Sequence, residues 1–338
     1  MSACIESKVF WFFSLEKTTL SSPLAGRPQN GEHRHEFVTG THIMIQRRPF
    51  LASMAASLAV GRGAAGKPQV YDDPYISTPD FQPFDGPRGA FHASVFTTSR
   101  IYPGLRHWWG IYTPAQAFVS GPPALMVFQD GLEFTYANGP WRTQNVLDNL
   151  IAQKIIPPMV AVFVAAGKPL TGAGNFQSNL DQRSVEYDTL SPLYAEFLLT
   201  EILPLAAAHA TWSDDPDMHA IGGQSSGAIA AFTVAWDHPE KFRKIYSANG
   251  SFTNIRGGNA YPGIVRAGPK RPLRIYMWSD THDMSRPDWG DWATANKAMA
   301  AALKESGYDI RFDFGEGTHN PRFAAPRFPD AMHWLWRP

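Results

Sequence analysis

One cysteine, Cys4, stands in 338 residues. A lone thiol excludes a disulfide-stapled scaffold and a multi-cysteine zinc site. Excess charge is missing too: 30 Lys and Arg offset 30 Asp and Glu, which leaves no electrostatic case for nucleic acid as the main ligand. No run reaches the roughly 18 apolar residues that span a membrane. With 44% hydrophobic and 18% charged residues, wholesale disorder is excluded. Aromatics are plentiful, with 11 Trp and 22 Phe. They suit aromatic-lined binding surfaces and an ordinary aromatic core equally.

The longest small-apolar stretch lies near 50–60, and its flanks matter more than its length. In MIQRRPFLASMAASLAVGRGAAGKPQ, Arg47 and Arg48 precede an Ala-rich apolar segment, and Gly63-Ala64-Ala65-Gly66 closes it. Charged flank, short apolar core and small-residue end are the parts of an export signal. The paired arginines give it the twin-arginine pattern. A short N-terminal helix is the plain alternative. Met44 lies four residues before Arg48, so translation is expected to start there. Residues 1–43 are then an over-called start or a disordered extension, 44–66 the signal, and 67–90 an irregular lead-in rich in Pro, Asp and Gly. Residues 91–338 form one domain, and the mature protein is expected in the periplasm or outside the cell. Dropping residues 1–66 removes Cys4, seven basic and four acidic side chains, so neutrality becomes slight acidity.

Beyond residue 90 the pattern is regular. FHASVFTT (91–98) and RHWWGIYT (106–113), separated by Pro103-Gly104, read as a hairpin. ALMVFQ, MVAVFV, HAIGG, KIYSA and LRIYMWS are short apolar runs that suit strands buried on both faces. DIRFDFG (309–315) reads as the last strand. Helical spacing appears over 143–154, 191–209 (with a kink expected at Pro204), 225–236, 289–306 and 330–336. A long polar loop is expected over 168–190. Alternating strands and helices predict a single α/β domain with a mainly parallel central sheet flanked by helices.

Gly223-Gln224-Ser225-Ser226-Gly227 is a G-x-S-x-G string between a short strand and a small-residue helix. That context is what the motif needs, because a sharp strand-to-helix turn lifts the serine hydroxyl above the sheet. Glycines at 223 and 227 remove side chains that would keep strand and helix apart. A serine hydroxyl needs an adjacent base, and the chain order in such proteins is nucleophile, acid, histidine. His319, after the last strand, is the expected base. His238 at a helix end, His282 among acids and His333 on the last helix fit other roles. Asp283, a few residues past LRIYMWS, is the favoured acid, with Asp280 as fallback. The cluster of these acids with His282 lacks the further His or Cys ligands a metal site needs. Oxyanion donors would be the backbone N–H of Ser226 and of Gly131 or Leu132, unless Asp130-Gly131 is merely a turn. Asn249-Gly250-Ser251 matches a glycosylation acceptor, read as chance beside a bacterial-type export signal.

LMVFQDG (125–131), RSVEYDTLS (183–191), FLLTEILP (197–204), AIGGQSSGAIAAFTVAW (220–236), GSFTNIRGG (250–258) and GEGTHN (315–320) together resemble the enterochelin esterase-like esterases. These belong to the esterase D and feruloyl esterase branch of the α/β hydrolases. The resemblance implies a Ser–His–acid hydrolase of carboxylic esters, with the roles on Ser225, His319 and Asp283 and no cofactor or metal. Here SDTHD replaces the family's D-G-x-N-D, so the acid's turn departs from the pattern. Full enterochelin esterases carry a further N-terminal β domain, for which residues 67–90 are too few. The implied partner is a small-molecule or carbohydrate ester. An acyltransferase and a non-catalytic binding protein are the alternatives. Arg183, Glu186, Tyr187 and Asp188 would line the cleft or anchor a salt-bridged loop. N-terminal sequencing of the exported protein should begin near Gly66; a chain that begins upstream of Met44 contradicts this reading of residues 1–66.

Overall fold

The computed structural model describes residues 78–117, 121–171 and 180–338. Cys4, Met44 and the expected export signal lie outside these residues. A 3-10 turn, Pro79–Phe81, leads into β1 (Ala90–Phe96) and β2 (Leu105–Thr113). Then come β3 (Ala124–Gln129), α1 (Gly131–Phe134), α2 (Thr143–Ala152), β4 (Met159–Val164) and the two-residue β5 (Lys168–Pro169). Helices α3 (Leu180–Tyr187), α4 (Leu193–Phe197) and α5 (Leu203–Ala207) precede β6 (His219–Gln224), α6 (Ser226–Asp237) and β7 (Lys244–Ala248). After α7 (Tyr261–Ala267) and β8 (Arg274–His282), the short strands β9 (Ser285–Arg286) and β10 (Gly290–Asp291) pair as a hairpin. Helix α8 (Trp292–Glu305), β11 (Asp309–Thr318), α9 (Pro321–Ala324) and α10 (Phe328–Trp336) complete the chain.

The main sheet runs β1-β2-β4-β3-β6-β7-β8-β11, with β5 beside β2. The β1–β2 hairpin and the β2–β4 junction are antiparallel. Every junction from β4 to β11 is parallel. Alternate residues of each parallel strand enter opposite cores. Leu125, Val127, Val160 and Val162 meet Phe197, Ile229, Phe232 and Leu303 of α4, α6 and α8. Met126, Phe128, Ala161 and Phe163 meet Phe134, Leu147 and Phe328 of α1, α2 and α10. Both faces are covered, which is why these strands read as unbroken apolar runs.

Several segments differ from expectation. The loop expected over 168–190 contains β5 and α3. Its sequence lacks an apolar stripe because a buried polar pair anchors it. Glu186 accepts from Gly167 N–H (3.0 Å), Gln182 Nε2 (2.9 Å) and His107 Nε2 (3.2 Å), and the His107 and Glu186 side chains are fully buried. The helix expected over 191–209 is interrupted by a π-helical turn, Leu198–Ile202. Pro204 offers no N–H to the preceding turn, and Leu203 N–H reaches five residues back to Leu198 O. The helix expected from Trp289 starts at Trp292, because the β9–β10 hairpin occupies its first residues and Asp291 caps it through Thr294 N–H (2.7 Å). Helix α7 was hidden by Pro262 and Gly263, although proline is well tolerated in a first helical turn. The described part of the lead-in, from Thr78 onward, is tied to α2. Asn145 Nδ2 donates to Phe81 O (3.0 Å) and Asn149 Nδ2 to Gln82 O (2.9 Å), and Phe81 is fully buried.

Glu186→Ala strips three donors of their buried acceptor. We expect a loss of about 3 kcal/mol in unfolding free energy, by analogy with broken buried pairs. A denaturant midpoint within error of the wild-type value contradicts this anchoring role.

Candidate active site

The parallel strands deliver their functional residues to one edge, outside their carboxyl ends. Ser225 follows β6 directly, with φ 59° and ψ −124°, a region that L residues normally avoid. Its neighbours hold it there. Ser225 N–H donates to Ala248 O (2.9 Å), while Ser225 O accepts from Ala228 N–H and Ser251 N–H (both 3.1 Å). A β-carbon at Gly223 would lie 2.6 Å from the carbonyl carbon of Gly227, and one at Gly227 would lie 2.8 Å from Asp130 Oδ2. Both glycines are therefore needed for strand, helix and β3 loop to close together.

His319 is set by its own local structure. It follows β11 and precedes α9, which Asn320 caps through Arg322 N–H (3.0 Å) with Pro321 in the first turn. Its Nε2 lies 2.9 Å from Ser225 Oγ and its Nδ1 lies 2.5 Å from Asp283 Oδ1. The structure thus brings Ser225, His319 and Asp283 into one hydrogen-bonded line. The three other candidate histidines sit elsewhere. His238 pairs with Glu240, His282 faces Glu316, and His333 is exposed on α10.

Asp283 is buried and well supplied with donors. Its Oδ2 accepts from Asn249 Nδ2 and Ser279 Oγ (both 2.8 Å), and its Oδ1 accepts from Met284 N–H (2.7 Å). Burial pushes its pKa up, but the bonds from His319, Asn249 and Ser279 prevail and hold it below the ordinary carboxylate value. Asp280 lies inside β8 and accepts from the same Asn249 amide (2.6 Å). Burial, with the Asp283 charge added, raises its carboxyl to about 7. Asp283 is the carboxylate bonded to His319.

Gly131 and Leu132 open α1, and Ser226 opens α6. First-turn N–H groups have no intrahelical acceptor. Asp130, left-handed at φ 54°, precedes α1 and takes a bidentate grip from Arg183 (2.8 and 2.6 Å). That ion pair joins α1 to α3 beside the Ser225 turn. Burial works against the Arg183 charge, yet the Asp130 carboxylate holds its pKa above the ordinary value.

A cleft of about 830 Å³ opens on Ser225 and Ser226, lined among others by Arg183, Asp188, Arg256, Arg286, Trp289 and Trp292. Of the four residues considered for cleft or anchor, Arg183 and Asp188 line it. Glu186 and Tyr187 face inward instead. Glu186 binds His107, and the Tyr187 hydroxyl donates to Val164 O (3.3 Å) and accepts from Asp130 N–H (3.2 Å). Burial raises the Asp188 carboxyl to about 6.

Asn249, Ser251, Ser279 and Trp292 are parts of the site that motif reading missed. Asn249 carried a signal, as the head of an N-x-S triplet. Its side chain is fully buried on two carboxylates, which closes it to a glycan. Trp292 packs edge-on to His319 at 5.9 Å and donates from Nε1 to Ser251 Oγ (3.1 Å).

The fold and this edge define a hydrolase-type α/β protein, and comparison with known proteins makes the class specific. A family model described as "Putative esterase" matches residues 109–332, and the chain belongs to this Esterase family. The iron(III) enterobactin esterase of Dickeya dadantii (strain 3937) is 29% identical over 150 residues, 40% of this chain and 33% of that protein. That of Escherichia coli (strain K12) is 27% identical over 174 residues, 51% and 38% respectively. The chain therefore spans little more than a third of the length of these curated relatives. Among solved structures, the enterobactin esterase from Shigella flexneri in the presence of enterobactin superposes with a TM-score of 0.61 at 22% identity, covering 80% of this chain and 63% of that one. A ferulic acid esterase gives 0.59 at 16% identity, covering 74% and 99%. These neighbours establish the α/β-hydrolase fold.

Asp280→Asn supplies a test of the buried carboxyls. A carboxyl whose pKa is raised on folding binds its proton more tightly in the folded state. Wild-type stability should therefore fall as pH climbs from near 4 to about 7 and then level off. The Asn variant should lose that slope, so its unfolding midpoint gains on the wild type between pH 5 and pH 8. Parallel stability curves for the two proteins contradict a raised Asp280.

Proposed function

We propose that the chain is a serine hydrolase that cleaves carboxylic esters through an acyl-enzyme. The observation carrying this is the hydrogen-bonded line Ser225–His319–Asp283, whose serine lines the cleft. Ser225 Oγ attacks the ester carbonyl while His319 Nε2 takes its proton. Asp283, kept ionised by its donors, holds Nδ1–H and stabilises the imidazolium. The N–H groups of Ser226 and of Gly131 or Leu132 bind the oxyanion. His319 then protonates the leaving alcohol, and water repeats the sequence on the acyl-enzyme.

An ester with an aromatic acyl part, of enterochelin or feruloyl type, is the substrate class we favour. Trp289, exposed at the cleft, offers a flat apolar wall, and Arg256 and Arg286 offer cations for acidic ring substituents. The names of the enterobactin and ferulic acid esterases above point the same way. Acetylated sugars are the next class to screen. Residues 44–66 serve as a twin-arginine export signal, so the mature chain acts outside the cytoplasm. Among the described residues no helix is long and apolar enough to cross a membrane.

Ser225→Ala should lower kcat on p-nitrophenyl acetate by at least about 10⁴-fold. Among catecholate trilactones, feruloyl sugars, acetylated xylan and short acyl esters, the aromatic esters should show the highest kcat/KM. Wild-type turnover by the Ser225→Ala protein contradicts the mechanism. Preference for acetyl over aromatic esters contradicts the substrate class.

A further inference from the structure

Ser225 Oγ has a second hydroxyl neighbour: Ser251 Oγ stands 3.3 Å away, on the loop after β7. We propose that Ser251 is a positioning residue whose hydroxyl hydrogen bonds to Ser225 Oγ and so commits the Ser225 proton to His319. The proposal rests on the serine-hydrolase reading above.

The direction of each hydrogen follows from what its neighbours can do. An indole N–H is a donor only. Trp292 Nε1 sits 3.1 Å from Ser251 Oγ, so Ser251 is the acceptor there. That bond takes one of the two Ser251 lone pairs and orients the hydroxyl, whose own hydrogen stays available to Ser225 Oγ. At the other end an ionised carboxylate is an acceptor only. His319 Nδ1, against Asp283, must carry the ring hydrogen, and Nε2 must accept. Ser225 has one hydrogen and gives it to Nε2, so the bond between the two serines forms with Ser251 as the donor. Were the Ser225–Ser251 bond reversed, Ser225 would turn its proton away from its base.

Ser251 is built to hold this place. It is fully buried, so it cannot touch substrate. Its N–H donates to Ser225 O at 3.1 Å, and Asn296 Nδ2 holds the preceding Gly250 carbonyl at 2.8 Å. At 3.3 Å the Ser251–Ser225 bond is long for two hydroxyls, whose usual separation is about 2.7–2.8 Å. It strengthens when negative charge gathers on Ser225 Oγ, because charge-assisted bonds are shorter and stronger. As Oγ bonds to the carbonyl carbon, the Ser225 proton passes to His319 Nε2 and the carbonyl π pair becomes the oxyanion. Ser251 keeps its proton throughout. When the acyl–Oγ bond later breaks, His319 returns a proton to Oγ, and Ser251 again steadies the departing oxygen. The effect therefore belongs to the rates of acylation and deacylation and leaves substrate affinity alone.

The test compares wild type, Ser251→Ala, Ser251→Thr, Trp292→Phe and the Ser251→Ala/Trp292→Phe double variant. The readouts are kcat and KM on p-nitrophenyl acetate and the second-order rate of inactivation by a small fluorophosphonate. Ser251→Ala should lower kcat and the inactivation rate by about five- to tenfold, the scale of one net hydrogen bond, with KM within about twofold. Ser251→Thr, which keeps the hydroxyl, should restore most of the rate. Trp292→Phe should slow inactivation alone but add nothing in the Ser251→Ala background, the mark of a shared pathway. If Ser251→Ala does not fold, the inactivation rate of Trp292→Phe carries the test. Equal inactivation rates in wild type and Ser251→Ala, a wild-type rate in Trp292→Phe, or independent effects that multiply would each overturn the proposal alone. A wild-type chain that no fluorophosphonate labels would overturn the serine-hydrolase reading, and this proposal with it.

Discussion

At φ 59° and ψ −124°, Ser225 holds a backbone conformation that costs of the order of 1–3 kcal/mol. The surrounding structure leaves it no alternative. Gly223 and Gly227 touch where side chains would forbid contact. Ala248 O and Ser251 N–H clamp the turn from the β7 side. The Arg183–Asp130 pair closes it from the β3 side. With the turn fixed, helix α6 starts at Ser226, and the Ser225 side chain is left facing His319. Glycines, a bidentate ion pair and two buried cores thus converge on the placement of one hydroxyl.

A second constraint concerns charge. Two buried carboxyls, Asp280 and Asp283, share one amide donor, Asn249 Nδ2. Two buried like charges this close raise each other's pKa. Uneven donor supply resolves the conflict. Asp283 collects bonds from His319, Asn249, Ser279 and Met284 N–H and stays ionised. At Asp280 burial and the Asp283 charge outweigh the Asn249 and Trp278 donors and push the carboxyl to about 7. The carboxylate opposite the imidazole is therefore the one that keeps its charge, as orienting His319 requires.

Much of this was legible in the sequence, and the boundary of legibility has a physical cause. The parallel strands announce themselves because both faces are buried, so β3, β4 and β6 show no polar alternation. The G-x-S-x-G turn is legible because its steric demand falls on near neighbours in the chain. Helix α3 was not, since one of its anchors is Glu186 meeting His107, 79 residues away, and a local pattern holds no trace of such a pair. For the same reason Glu186 and Tyr187 could not be told from Arg183 and Asp188, although only the latter two face the cleft. Position past the strand end favoured Asp283 over Asp280 in sequence, but the donors that separate them arrive from β7, β8 and β11 and leave no local trace. Asn249 and Ser251 read in sequence as a chance glycosylation triplet, and their use emerges only where three strand ends meet.

The central claim is that Ser225 becomes covalently acylated, with His319 and Asp283 acting on it. Peptide mapping by mass spectrometry after brief reaction with an activated aromatic ester, quenched in acid, tests this most directly. The account predicts the acyl mass on the peptide containing Ser225, and its absence when His319 is replaced by Ala. An acyl group on another residue, or turnover without any adduct on Ser225 under single-turnover conditions, would contradict it.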